Sequence, residues 1–121
     1  MIYTSYYGNL KKIDKKIEPI SISQFTPKGI HIFSMEELAP SKELLNWWKN
    51  CEQTKEDEQN YIDKYNQQLC LLNPQDIQSK LYELSCGKDV VLLCYEKPTD
   101  FCHRHLVATW FNENNIECKE Y

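Results

Sequence analysis

Glycine and proline are scarce: the 121-residue chain has three Gly and five Pro. That excludes a low-complexity or collagen-like polymer and argues against disorder. No Cys-x-x-Cys pair occurs among the six cysteines, so zinc-ribbon and thioredoxin motifs are excluded. No apolar run approaches the ~20 residues that a membrane-spanning helix needs. Met1-Ile2-Tyr3-Thr4 shows no basic segment leading into an apolar one, so no secretory signal is read, and a cytoplasmic protein with reduced thiols is expected. A basic surplus is missing too. The formal charge is −4, whereas duplex-binding surfaces carry a positive excess. Strong duplex nucleic-acid binding is therefore not expected. The cluster Lys11, Lys12, Lys15 and Lys16 reads as a solvated face.

What is present fits a single α/β domain over residues 1–121, with no internal repeat and no linker. Ile2 to Tyr6 reads as a strand from its β-branched and aromatic content. Pro19 to Ser23 alternates with period two, and Ile30 to Phe33 is a third short extended piece. Pro40-Ser41 opens a helix to about Asn50, with Ser41 as N-cap and Leu44, Leu45, Trp47 and Trp48 on its apolar face. Cys51 to Gln59 is a charged loop or helix start. Tyr61, Ile62, Tyr65, Leu69 and Leu72 continue at helical spacing. Asn73-Pro74 begins another helix, which Cys86-Gly87 stops, with Gly87 at C′. Asp89 to Tyr95 is the strongest strand signal. Val90 to Cys94 is continuously apolar, which predicts burial on both faces and a central place in a mainly parallel sheet. Thr99 or Asp100 then caps a helix to about Asn114, and Ile116 to Tyr121 closes as a short strand. The expected architecture is a Rossmann-like, mainly parallel sheet flanked by helices.

Chemistry concentrates where that buried strand turns into the next helix. Cys94, Glu96, Cys102, His103 and Arg104 fall within eleven residues. Open α/β sheets place ligand sites at the carboxyl ends of their strands, beside helix N-termini. With Asp100 as N-cap, Phe101, Cys102 and His103 would present unpaired amides to an anion. The helix end, with His103 and Arg104 beside it, would also lower the Cys102 thiol pKa and make it a nucleophile. Arg104 supplies a planar donor fork for phosphate or carboxylate. Each residue also has a plainer reading. Cys102 would pack as a small hydrophobe. His103 precedes Leu106 and Val107 by three and four residues, near an apolar face, as a structural histidine does. Arg104 would pair with Glu96 or Asp100. Period two places Cys94 and Glu96 on one side. Cys94, Cys102 and His103 form a soft donor set for zinc, with His31 or His105 as the fourth ligand. The spacing is irregular, and no metal is expected. Cys51, Cys70, Cys86 and Cys118 read as structural. Trp47-Trp48 and Trp110-Phe111 read as core, and the acidic run from Glu52 to Glu58 as a solvated face.

At these residues the chain resembles the domain-of-unknown-function family numbered 488. Its members carry a Leu-Cys-x-Glu strand end and a Cys-His-Arg helix start, here Leu93-Cys94-Tyr95-Glu96 and Cys102-His103-Arg104. Ile2 to Asn9 is similar to the family's first strand and its Thr-containing turn, which makes Thr4, Ser5, Tyr6 and Tyr7 candidate ligand contacts. The usual Gly-His-Ser of that turn is absent. Ile20-Ser21-Ile22-Ser23 stands where many members have Asp-Val-Arg. The resemblance implies the fold and the site and names no reaction.

Three functions compete. An enzyme would act on a small anionic or nucleotide-like ligand, with Cys102 as nucleophile or redox thiol, His103 as proton carrier, Glu96 as base or orienting group, Cys94 beside them, and Arg104 clamping the anion. Thr4 and Ser5 would approach from the neighbouring strand. A binding module would keep the pocket without turnover. A structural zinc site is the third. The sequence specifies no cofactor and no oligomeric state, and no membrane partner is expected.

Overall fold

The structure, a computed structural model, describes residues 1–96 and 101–121. Among these residues the chain forms β1 (Ile2–Tyr6), β2 (Glu18–Ser21), β3 (Phe33–Ser34), α1 (Lys42–Asn50), α2 (Lys55–Cys70), α3 (Pro74–Leu84), β4 (Val90–Cys94), α4 (His103–Glu113) and β5 (Cys118–Glu120). Short 3-10 turns cover Tyr7–Lys12 and Glu36–Leu38. The strands make one sheet in the order β3-β2-β4-β1-β5, and every pairing is parallel. This is the expected Rossmann-like α/β architecture, with β4 at its centre.

All five residues of β4 are buried, and their alternation explains the uninterrupted apolar run. Val90 and Leu92 join the cluster that α1 to α4 build with Leu44, Tyr65, Leu81 and Phe111. Val91 and Leu93 face the other way, onto Tyr7 and Ile13 with Leu10, Ile17, Ile30 and Ile32 around them. The four α-helices therefore share one face of the sheet. The opposite face is covered by the Tyr7–Lys12 turn and by loop residues.

Caps set most helix boundaries. Ser41 Oγ accepts from the Leu44 amide, and Asn73 caps α3 with Pro74 in its first turn. Thr54 and Asp57 form a capping box, so the ambiguous charged stretch is the start of α2. Glu56, Asp57 and Glu58 sit in its first turn, where the helix dipole favours them.

Strands β2 and β5 are shorter than expected, and three further boundaries differ for identifiable reasons. At the end of α3 the left-handed C′ residue is Cys86 (φ 55°), with Gly87 one place later. The Gly87 amide reaches the Tyr82 carbonyl and the Cys86 amide that of Glu83, a Schellman closure. The third strand shrinks to Phe33–Ser34, because Ile30 and Ile32 pack on the thinner face instead of extending the ladder. Helix α4 starts at His103 with Cys102 as its N-cap. Thr99 and Asp100, the expected caps, lie outside the described residues. Phe101 packs against Trp48 and Tyr61, and Cys102 keeps an extended backbone (φ −153°, ψ 143°), so helical dihedrals begin only after them.

A left-handed conformation costs an L-residue about 1–2 kcal/mol, and Cys86 is exposed with little packing to lose. Cys86→Gly should therefore raise the melting temperature by a few degrees. An unchanged or lower value in calorimetry would show that the turn is not under this constraint.

Candidate functional site

β4 delivers Cys94 to the carboxyl edge of the sheet on its helix-covered face, and α4 begins directly over it. A cavity of about 350 Å³ opens there. Cys94 and Glu96 line it from the β4 end, Phe101, Cys102 and His103 from the α4 start, Leu45, Trp48 and Lys49 from α1, Tyr61 from α2, and Ser23 to Phe25 from the chain after β2.

The Cys94 and Cys102 sulfurs meet in disulfide contact at the cavity wall, and their Cα atoms are 7.7 Å apart. The sequence leaves open whether this pair meets; the strand end and the helix start converge and bring the two sulfurs together. Cys51, Cys70, Cys86 and Cys118 are free. Burial pushes the Cys118 thiol up to about 12, which makes it inert.

His103 is buried, with its ring edge-on to Tyr65 at 5.5 Å. Nε2 lies 2.6 Å from the Ile22 carbonyl oxygen. A carbonyl only accepts, so Nε2 carries the proton and Nδ1 keeps its lone pair. That lone pair lies 3.7 Å from Cys102 Sγ. Burial lowers the His103 pKa from 6.5 to about 4; the Ile22 bond opposes this, and Arg104 and His105 add to it. The imidazole is therefore neutral at pH 7 and faces the thiol as an acceptor.

Arg104 is fully buried but does not line the cavity. Nε and Nη2 donate to the Glu120 carboxylate at 3.2 and 3.1 Å, and Nη1 donates to Cys94 Sγ at 2.9 Å and to the Glu96 carbonyl oxygen. Among the described residues its ion-pair partner is thus Glu120 rather than Glu96, Asp100 lying outside them, and its fork is spent on the chain's own carboxylate. The Thr4 hydroxyl donates to Glu120 at 2.7 Å, and Tyr6 flanks the guanidinium, 5.8 Å from its ring centre. Ser5 accepts from Asn9 at 3.1 Å. Tyr7 Oη bridges the Ser21 and Ser23 hydroxyls at 2.7 and 2.6 Å and contacts the Tyr95 ring. Thr4 to Tyr7 therefore stand behind the cavity, where Tyr7 orients its lining residue Ser23.

Cys94, Glu96 and Cys102 bring their donor atoms within 4.8 Å of one another. His103 is turned to Ile22 and does not join this set, while His31 is exposed. Sequence reasoning missed the aromatic wall. Trp48, Tyr61 and Phe101 pack mutually at 5.1–5.3 Å between ring centres; Trp48 packs against the core as expected and also faces the cavity. The available signal was the spacing of Leu45, Trp48 and Lys49, which puts a charge on the same helix stripe as two apolar residues.

The family model described as "Active DUF488-N3 subclade" matches residues 2–115, from β1 through α4. The chain belongs to the DUF488 family. No curated protein and no solved structure matches it significantly. The Leu-Cys-x-Glu and Cys-His-Arg segments both fall inside the matched span, and in this DUF488 chain they form one wall of the cavity. Among the described residues no helix is long and apolar enough to cross a membrane.

Two outcomes follow. Glu120→Ala leaves the buried Arg104 charge uncompensated and should cost about 3 kcal/mol in urea unfolding; a change below about 1 kcal/mol would mean that water replaces the carboxylate. For His103, the unfolded ring binds a proton near pH 6.5 and the folded ring only near 4. Between those values the unfolded state holds more protons, so acidification favours unfolding. This part of the stability is complete above pH 6.5 and is lost as the pH falls toward 4, on the order of 3 kcal/mol in all. His103→Gln should flatten the stability–pH slope in that window, and an unchanged slope would place the effect elsewhere.

Proposed function

We propose that this DUF488 protein is a thiol-dependent enzyme acting on a small nucleotide-like ligand held in the 350 Å³ cavity. One observation carries the reading: Cys102 Sγ and the free lone pair of a neutral, tautomer-fixed His103 lie 3.7 Å apart in a cavity with an aromatic wall. Cys102 attacks an electrophilic centre of the ligand, its proton passes to His103 Nδ1, and the leaving group takes that proton away. The volume suits a drug-sized or nucleoside-sized ligand. Trp48 and Phe101 offer ring surface for a planar base. Among the described residues the α4 N-terminus has no side-chain cap, and with Lys49 on the facing helix it favours an anionic group. Glu96, exposed, serves as base or orienting acceptor. The matched subclade is described as active, which agrees with turnover. A reactive thiol also fits the reducing cytoplasm.

Reduced protein should be alkylated with iodoacetamide at mildly alkaline pH and mapped by peptide mass, with adenosine monophosphate as the probe ligand. Cys102 should be labelled along with the exposed cysteines, and millimolar probe should slow its labelling several-fold while leaving Cys51 unchanged. Labelling of Cys51, Cys70 and Cys86 with Cys102 untouched would end the thiol reading and leave a binding module. Labelled but unprotected Cys102 would end the nucleotide-like assignment.

A further inference from the structure

We infer that Cys94 is a second working thiol, the resolving partner of Cys102, and that the bond this site attacks is a disulfide in a small molecule. The inference rests on Cys102 being the attacking thiol. Four of the six cysteines are free, and only Cys94 and Cys102 share a cavity, with their sulfurs in contact. A thiol that attacks carbon has no use for a second sulfur, because water or another acceptor releases the adduct. A thiol that attacks sulfur leaves a mixed disulfide, and a neighbouring thiol is what clears it.

The two sulfurs are also held differently. Cys102 faces a proton acceptor, His103 Nδ1, at 3.7 Å, whereas Cys94 receives a guanidinium N–H at 2.9 Å. The first arrangement takes a proton at the moment of attack. The second favours a sulfur already carrying negative charge. Both are buried and both line the cavity, Cys94 from the strand end and Cys102 from the helix start. Their Cα atoms lie 7.7 Å apart, beyond the ~4.4–6.8 Å span usual for a disulfide, and Arg104 ties the strand end to the helix start whether or not the two sulfurs are joined.

The chemistry balances without a metal or an added oxidant. Cys102 thiolate attacks one sulfur of R–S–S–R′. The Cys102–S–S–R bond forms, and R′S⁻ leaves with the proton that His103 accepted. Cys94 thiolate then attacks Cys102 Sγ. The Cys94–Cys102 bond forms, and RS⁻ leaves and is protonated from solvent. The protein dithiol is oxidised by two electrons, and the small disulfide is reduced to two thiols. Two equivalents of a small thiol reverse the exchange and restore the dithiol.

The test uses full-length reduced protein carrying Cys51→Ser, Cys70→Ser and Cys86→Ser, and the aromatic disulfide dithiobis-nitrobenzoate as probe. Per protein, two thionitrobenzoate anions should appear. The intact mass should fall by two hydrogens with no adduct, and peptide mapping should find Cys94 joined to Cys102. Adding Cys94→Ser should halve the release and leave a stable adduct on Cys102. A stable adduct on Cys102 with Cys94 intact, and one anion released, would overturn the resolving role and spare the nucleophile. No reaction at Cys102 would overturn both. The outcome with Cys94 present decides the matter even if the Cys94 variant does not fold.

Discussion

A fully buried arginine governs this structure. Arg104 carries a permanent charge with no exposed side-chain surface, and such a charge persists in a fold only when each of its directions is answered. Glu120 answers twice from β5, the Glu96 carbonyl once from the turn after β4, and Cys94 Sγ once from the end of β4. Thr4 of β1 holds the carboxylate in turn. One guanidinium thus fixes α4 against three neighbouring strand ends. The desolvation cost of the pair cancels much of its attraction, so its main consequence is geometric. The sulfur of Cys94 has one position relative to α4, and through it so does Cys102.

Strand parity supplies the rest. Val90, Leu92 and Cys94 share the helix-covered face, and Val91 and Leu93 the other. A one-residue slip of β4 would turn Cys94 away from α4 and onto the thin side, where the Tyr7–Lys12 turn lies. The buried Val-Val-Leu-Leu run resists that slip less than an alternating strand would, since both faces accept apolar side chains. The register is held instead by pairing on both edges, with β1 and β2, and by the polar contacts at its carboxyl end.

These facts explain what the sequence could and could not disclose. β4 and the Ser41 cap depend on local spacing, and both were readable. The strand-to-helix turn that lines the cavity is likewise contiguous in sequence, whereas the approach of Cys94 to Cys102 was left open. The partner of Arg104 was not readable: Glu120 lies sixteen residues on and meets it only because β5 adds beside β1. The same contact explains Thr4 and Tyr6. They lie on β1 beside the carboxyl edge of the sheet, where the guanidinium and its carboxylate take up their contacts. The aromatic wall needed the packing of α1 and α2 against the α4 start, which no local pattern encodes. Cys86 hid its role because a left-handed residue is expected to be the adjacent glycine.

The electrostatics of the cavity follow from the same ion pair. Glu120 offsets the Arg104 charge, so the guanidinium meets Cys94 through a single oriented N–H. On the other side, burial keeps His103 uncharged, so Cys102 faces its lone pair rather than an imidazolium. The two sulfurs therefore sit with one donor aimed at Cys94 and one acceptor aimed at Cys102. In a low-dielectric pocket this is the condition under which single, fixed hydrogen bonds have their largest effect.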